Sequence, residues 1–215
     1  MFTLTDEIAA ARYHKKHMRQ SGPLEHEHAI HAFVFLSFLF AEAIKLIIET
    51  WVRVKDSRAE VVLLLAITLL GVQYWWVIYE SAFFYGKNIV NFSCGTLEAA
   101  LFYAVTYLLR ESHSLRWPFF VFAAMVLSFI FVDWLKYIEN VPRDQRKIGH
   151  LAPRQLFRLL AIIAAFLGGF EYVNPLAVSS FLLLLVVVYT GLTSYAHWIA
   201  TPRSGSKRAQ GGPAA

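Results

Sequence analysis

Six apolar stretches dominate the chain, and their lengths limit what it can fold into. They cover about residues 31–52, 60–79, 96–109, 117–138, 156–170 and 175–199. A bilayer core of ~30 Å is crossed by a helix of about 20 apolar residues. The chain is 57% hydrophobic and 16% charged, whereas soluble domains are about 25% charged. The sequence therefore predicts an all-α integral membrane protein with about six transmembrane helices and the lipid bilayer as its surroundings.

The first stretch contains ionisable residues where a membrane helix should have none. Glu42, Lys45 and Glu49 are spaced by three and four residues, which brings them toward one face of a helix. A charge at the centre of such a helix costs about 2.5–3.5 kcal/mol on insertion scales, and it usually faces an interior or a water-filled cavity. We predict a substrate or ion site here. The alternative is a neighbouring pair that only makes insertion tolerable.

A similar pattern returns in the fourth stretch and suggests an internal duplication. SFLFAEAIKLI at 37–47 aligns with SFIFVDWLKYI at 128–138, so that Asp133 and Lys136 match Glu42 and Lys45. Three helices per half would give inverted repeats at 31–110 and 117–199, an arrangement found in many transporters. The duplication predicts that both charge clusters line one internal path. Lys136 could instead extend to the headgroups.

The positive charges predict the orientation of the chain. Most Lys and Arg residues lie in segments on the same side as the N-terminus, which favours cytoplasmic termini and a plasma or inner membrane location. Trp51 and Trp117 then fall at the outer boundary, and Trp75, Trp76 and Trp134 fall near the inner one, as in an aromatic belt. The third stretch is short for a span, and Glu98 is near its predicted start.

The two ends of the chain differ from the apolar part. Residues 1–30 form a predicted cytoplasmic, amphipathic segment rich in histidine, and residues 201–215 have the composition of a disordered tail. No signal peptide is expected, because the first 28 residues are polar. Cys94, the only cysteine, excludes an intrachain disulfide. The weak candidates for metal binding are His14, His17, His26, His28 and His31.

The sequence offers little support for catalysis or nucleic-acid binding. It lacks the P-loop, HExxH and GxSxG patterns, and its net charge of +5 resides mainly in loops and tails. We therefore predict a small transporter or channel for an inorganic ion, proton or small solute, without a cofactor, that could act as a homo-oligomer. The alternatives are a non-transporting subunit or sensor that binds a partner protein, and a lipid-modifying membrane enzyme.

Overall fold

A computed structural model of the chain describes residues 23–53, 57–80, 85, 87–112, 114–140 and 152–200. These residues contain six helices and no strand. The helices are α1 (Pro23–Arg53), α2 (Arg58–Glu80), α3 (Ile89–Glu111), α4 (Arg116–Asn140), α5 (Ala152–Gly169) and α6 (Pro175–Ala200). Of the predicted N-terminal segment 1–30, residues 23–30 form the beginning of α1 and are continuous with the first apolar stretch. Residues 1–22 and the tail 201–215 lie outside the described residues.

Five of these helices are long and apolar enough to cross a membrane, whereas the apolar part of α5, Gln155–Gly169, is shorter. Large apolar side chains cover much of the bundle exterior. One example from each of the six helices is more than half exposed: Phe38, Val72, Leu97, Leu127, Ile163 and Leu184. Continuous apolar exteriors are rare on soluble monomers, so this surface is typical of a protein embedded in a membrane.

The third helix is longer than its sequence predicts. We expected a span over about 96–109, but α3 begins at Ile89, where the Asn88 side chain accepts a hydrogen bond of 2.8 Å from the Asn91 N–H. The polar run NFSCGT resembles a loop in sequence. Several of its small residues are buried against neighbouring helices, and this packing continues the helix. Glu98 therefore lies near the middle of a 23-residue helix rather than at its start.

Consecutive helices run in opposite directions and form a ring. Around the bundle, α1 contacts α3, followed by α4, α5, α6, α2 and α1 again, while α2 also contacts α3. We call the end where α1 begins and α6 ends the terminal end, and the end where α1 ends and α6 begins the loop end. Trp75, Trp76 and Trp134 lie toward the terminal end, and Trp51 and Trp117 lie at the loop end.

The two halves of the chain pack differently. In the first half, α1 contacts both α2 and α3. In the second half, α4 packs closely on α5 but has at most marginal contact with α6 among the described residues. A duplication with preserved packing would give equivalent contacts in both halves. The predicted repeat gains no support from this arrangement and stays a prediction.

Small residues allow α5 to approach α4 and α6 closely. A Cβ atom built on Gly168 would lie 2.9 Å from the Phe119 ring and 2.9 Å from Val178. Ala161, Ala164 and Ala165 are buried on the same helix. Because none of these residues has a long side chain, side chains of the neighbouring helices, such as Phe119 and Val178, pack directly against α5, as small residues permit in membrane proteins.

Gly168→Ala should lower the free energy of unfolding by about 1–3 kcal/mol, because the added methyl group has no space. Gly191→Ala is the matched control, since nothing lies within 4 Å of its Cβ position. That substitution should be neutral or stabilising by up to about 1 kcal/mol. Thermal unfolding in detergent micelles measures both. Equal effects of the two substitutions would contradict the close packing of α5.

Candidate functional site

The three acidic and basic residues predicted on α1 do not share an internal position. Glu42 and Lys45 are exposed on the outside of the bundle, so their expected place on an internal path is not found. The buried stripe of α1 runs through Leu36, Phe40, Ala43, Ile47 and Thr50. Glu42 and Lys45 lie off this stripe because the helical repeat turns them outward.

Glu49, the third of these residues, binds α3 at the loop end. Its carboxylate accepts a hydrogen bond of 2.6 Å from the Arg110 guanidinium. Arg53 and Glu111 form a second, more exposed ion pair of 3.5 Å between the same two helices. Exposed pairs of this kind contribute at most about 1 kcal/mol. Glu49 therefore links α1 to α3 at the loop end, whereas Asp133 and Lys136 lie in the terminal half of the bundle.

Glu98 on α3 is the most deeply buried of the described Asp, Glu, Lys, Arg and His side chains and is 2% exposed. One carboxylate oxygen, Oε2, accepts hydrogen bonds from the Tyr85 hydroxyl at 2.7 Å and the Tyr74 hydroxyl at 3.0 Å. Glu98 lies nine residues into α3, about 14 Å along the helix from the terminal end. A carboxylate is thus held inside the bundle by two phenols.

Tyr85 reaches Glu98 because a glycine lies beneath its ring. A Cβ atom on Gly95 would come within 2.9 Å of the Tyr85 ring and of Leu36. Burial, followed by the nearby Glu98 charge, raises the pKa of the Tyr85 phenol well above its ordinary value. The phenol therefore stays protonated, and its O–H group is the donor in the hydrogen bond with Glu98.

Two residues of α4 bring further charge to this group. The Lys136 ammonium lies 5.1 Å from the centre of the Tyr85 ring, and the hydroxyl of the same tyrosine binds Glu98. Lys136 attracts the Glu98 carboxylate electrostatically, whereas Asp133 repels it. These are the two α4 residues that the sequence predicts as site residues, and the structure brings both near Glu98.

Asp133 is itself paired with a buried arginine. Arg158 Nη1 donates to the Asp133 carboxylate at 2.7 Å and to the Phe129 carbonyl at 3.1 Å, and Nη2 donates to the Tyr189 hydroxyl at 2.9 Å. The Arg158 and Asp133 side chains are 11% and 19% exposed. This pair joins α4, α5 and α6 beneath the surface of the bundle.

A hydrogen bond between α2 and α6 extends this region of polar contacts. The Thr190 hydroxyl donates to Gln73 Oε1 at 2.8 Å. We call the whole set the polar layer. It comprises Gln73, Tyr74, Tyr85, Glu98, Asp133, Lys136, Arg158, Tyr189 and Thr190. Its members come from α2 to α6 and from the segment between α2 and α3, and they occupy the terminal half of the bundle.

Sequence reasoning found part of this layer and missed its centre. Asp133 and Lys136 are predicted site residues. Glu98 was not predicted as one, because its apolar stretch is expected to begin only at about residue 96, and Tyr85 and Arg158 were not singled out. The polar run NFSCGT interrupts the apolar pattern ahead of Glu98, so no continuous apolar run marks this residue as part of a span.

The histidine candidates do not form a site in the described residues. His14 and His17 lie outside them, and nothing is described of the His26 side chain. His28 and His31 are exposed on α1, and His31 Nε2 lies 3.7 Å from Glu27. The described part of the chain contains no group of three His, Cys, Asp or Glu side chains that could hold a metal ion.

Comparison of the chain with protein-family models, curated proteins and solved structures found no match.

Tyr85→Phe should lower the free energy of unfolding by about 2 kcal/mol, because a buried carboxylate loses a hydrogen-bond donor while the ring is kept. Tyr103→Phe is the matched control, since Tyr103 is exposed and stacks on Tyr107. That change should have an effect below about 0.5 kcal/mol. Denaturation by detergent, followed by circular dichroism, measures both. Similar values for the two variants would contradict the structural role of the Tyr85 hydroxyl.

Proposed function

We propose that this chain is an integral membrane protein that moves protons or a small cation, and that the polar layer is its binding site. The observation that carries the proposal is the burial of the Glu98 carboxylate, which is 2% exposed, within a bundle whose core and exterior are mainly apolar. Ionisable residues inside a membrane are costly, and they commonly mark ion pathways and proton relays. Glu98 accepts hydrogen bonds from neutral phenols, and an added proton or cation could neutralise its charge.

The surroundings of Glu98 favour a group that changes state rather than a permanent ion pair. Its hydrogen bonds come from Tyr74 and Tyr85, and Lys136, which attracts it, lies over the Tyr85 ring. Asp133 has its own strong partner in Arg158. Protonation of Glu98 would remove its attraction to Lys136 and its repulsion by Asp133. Binding a proton thus changes the interactions between α3 and α4, which is the differential interaction that a two-state mechanism requires.

The proposed orientation places the terminal end in the cytoplasm. The excess of Lys and Arg on that side supports it. In a plasma membrane, Glu98 would then be reached from the cytoplasm through the polar layer. An inverted duplication is not needed for this mechanism, because Glu98 and the two tyrosines that bind it lie outside the aligned segments 37–47 and 128–138.

A flux assay on the purified protein in liposomes tests the proposal. Wild-type protein should carry protons, Na⁺ or K⁺ down an imposed gradient, and Glu98→Gln should reduce this flux by about tenfold or more. The amide keeps the acceptor oxygen for both tyrosines but cannot take up a proton. Asp133→Asn should also reduce flux, because it leaves the buried Arg158 without its charge partner.

Glu111→Gln is the matched control for these substitutions. It removes a carboxylate of the same charge at the partly exposed loop end, and flux should stay at the wild-type level. All variants are compared only when they elute as a single folded species. Wild-type flux in Glu98→Gln, or no flux of any tested ion with the wild-type protein, would overturn the proposal.

The exposed charges of α1 favour a second candidate function. Glu42 and Lys45 lie on the outside of a helix that is long enough to span a membrane, where a partner could cover them. A non-transporting subunit would use such a surface without moving an ion. Absence of flux combined with a stable complex would support this function.

A further inference from the structure

An exposed stripe on α1 has the spacing of a helix–helix interface that the bundle does not use. Its members are Val34, Phe38, Ala41, Lys45, Ile48 and Val52, and all of them are exposed. Their spacing alternates between four and three residues. This is the heptad pattern of two helices that pack side by side at a small crossing angle, in membranes as in water.

Two charged side chains at this stripe have no oppositely charged partner elsewhere in the described part of the chain. Glu42 lies beside the stripe and Lys45 lies in it, and neither makes an ion pair with another described residue. Glu42 is about 16 Å along the helix from Arg53 and about 22 Å from Glu27, the ends of the apolar span. Its short side chain cannot reach either end, so a membrane location would leave the carboxylate in hydrocarbon.

We infer that this stripe binds the same stripe of a second copy of the chain. The inference rests on the membrane insertion of the proposed function but not on transport. Two copies related by a two-fold axis along the membrane normal would present parallel α1 helices, and each contact would occur twice. Glu42 of each copy would then face Lys45 of the other. The backbone positions of the two residues would be offset by about 4.5 Å along the helix axis, a distance that their side chains can span. Because each chain supplies one negative and one positive side chain, Glu42 and Lys45, the surface is complementary to the same surface of a second copy.

A second copy fits this surface better than lipid does. Lipid would leave a carboxylate and an ammonium in hydrocarbon, at a cost of about 2.5–3.5 kcal/mol for a central charge. Pairing between copies satisfies both groups. The apolar members of the stripe supply van der Waals contact above and below the charges, which is what drives helix association in lipid.

Charge exchange between the two positions tests the inference. The full chain, labelled separately with donor and acceptor dyes, is reconstituted in liposomes, and energy transfer is measured over a range of protein-to-lipid ratios. Wild-type protein should dimerise. Glu42→Gln combined with Lys45→Gln should dimerise about tenfold more weakly, because the charge pairs are lost. The double exchange Glu42→Lys with Lys45→Glu should restore dimerisation close to the wild-type level.

Mixing the single variants gives the sharpest result. The Glu42→Lys chain has two cations on the stripe, and the Lys45→Glu chain has two anions. Each alone should be largely monomeric, whereas an equal mixture should form heterodimers. Glu111→Lys serves as the control for a changed charge outside the stripe, and it should dimerise like the wild-type protein. Flotation on a density gradient verifies that every variant is inserted.

Several outcomes would overturn the inference. Wild-type protein that stays monomeric at every ratio would show that lipid or a different protein covers the stripe. Wild-type dimerisation by the double glutamine variant would show that the charges do not form the contact. Flux without dimers would leave the proposed transport intact, and dimers without flux would leave the interface intact, so the two proposals fail separately.

Discussion

Burial of the Glu98 carboxylate is the constraint on which the arrangement of the surrounding helices depends. An ionised carboxylate transferred into an apolar interior without partners is costly enough to oppose folding. The bundle meets this requirement by placing Tyr74 of α2 and Tyr85 of the next segment against one oxygen of Glu98. Gly95 in turn supplies the space for the Tyr85 ring. The Glu98 carboxylate therefore constrains the side chains of Tyr74 and Tyr85, and through Tyr85 it requires a glycine at position 95 of α3.

Tyr74 connects this polar contact with the apolar core. Its ring stacks at 5.5 Å on Phe129 of α4 and lies 5.6 Å edge-on from Phe40 of α1, while Phe102 of α3 lies 6.1 Å away. One residue thus joins four helices through its ring and holds Glu98 through its hydroxyl. A change in the charge of Glu98 is consequently felt at a position where helices from both halves of the chain meet.

The other charged residues of the bundle have partners that differ with how deeply the side chains are buried. At the loop end, Glu49 and Arg110 are partly exposed, so their contact fastens two helices at little cost in desolvation. In the terminal half, Asp133 and Arg158 are more deeply buried and need several hydrogen bonds to offset their loss of water. Among the described residues, Glu42 and Lys45 form no ion pair and are exposed on the outside of α1. The charges of the bundle thus occupy three environments: a partly exposed pair, a buried network and an exposed helix face.

The sequence predicts the helices of this fold better than it predicts its site. The number of helices and five of the six approximate spans follow from runs of apolar residues, because helix length is set locally by hydrophobicity. Which face of a helix turns inward depends on neighbouring helices, and α1 shows the consequence: Glu49 contacts α3, while Glu42 and Lys45 turn outward. Asp133 and Lys136 could be found as charges in an apolar run.

Glu98 could not be recognised as a charge within an apolar run, because the small and polar residues in the first turns of α3 resemble a loop in sequence. Tyr85 lies outside any apolar run that points to it, and its role depends on a contact with Gly95 and Glu98 that only the folded chain creates. Partners distant along the sequence carry no local signal of their proximity. The centre of the polar layer is therefore a property of the tertiary packing.

The most direct test of the account is infrared difference spectroscopy of the protein in liposomes as the pH is changed. We expect a carbonyl stretching band of a protonated carboxyl group to appear on acidification in the wild-type protein and to be missing in Glu98→Gln. Such a band would show that the buried carboxylate exchanges protons with water while the bundle stays folded. Identical difference spectra for the two proteins would contradict the account, because Glu98 would then be a fixed structural group.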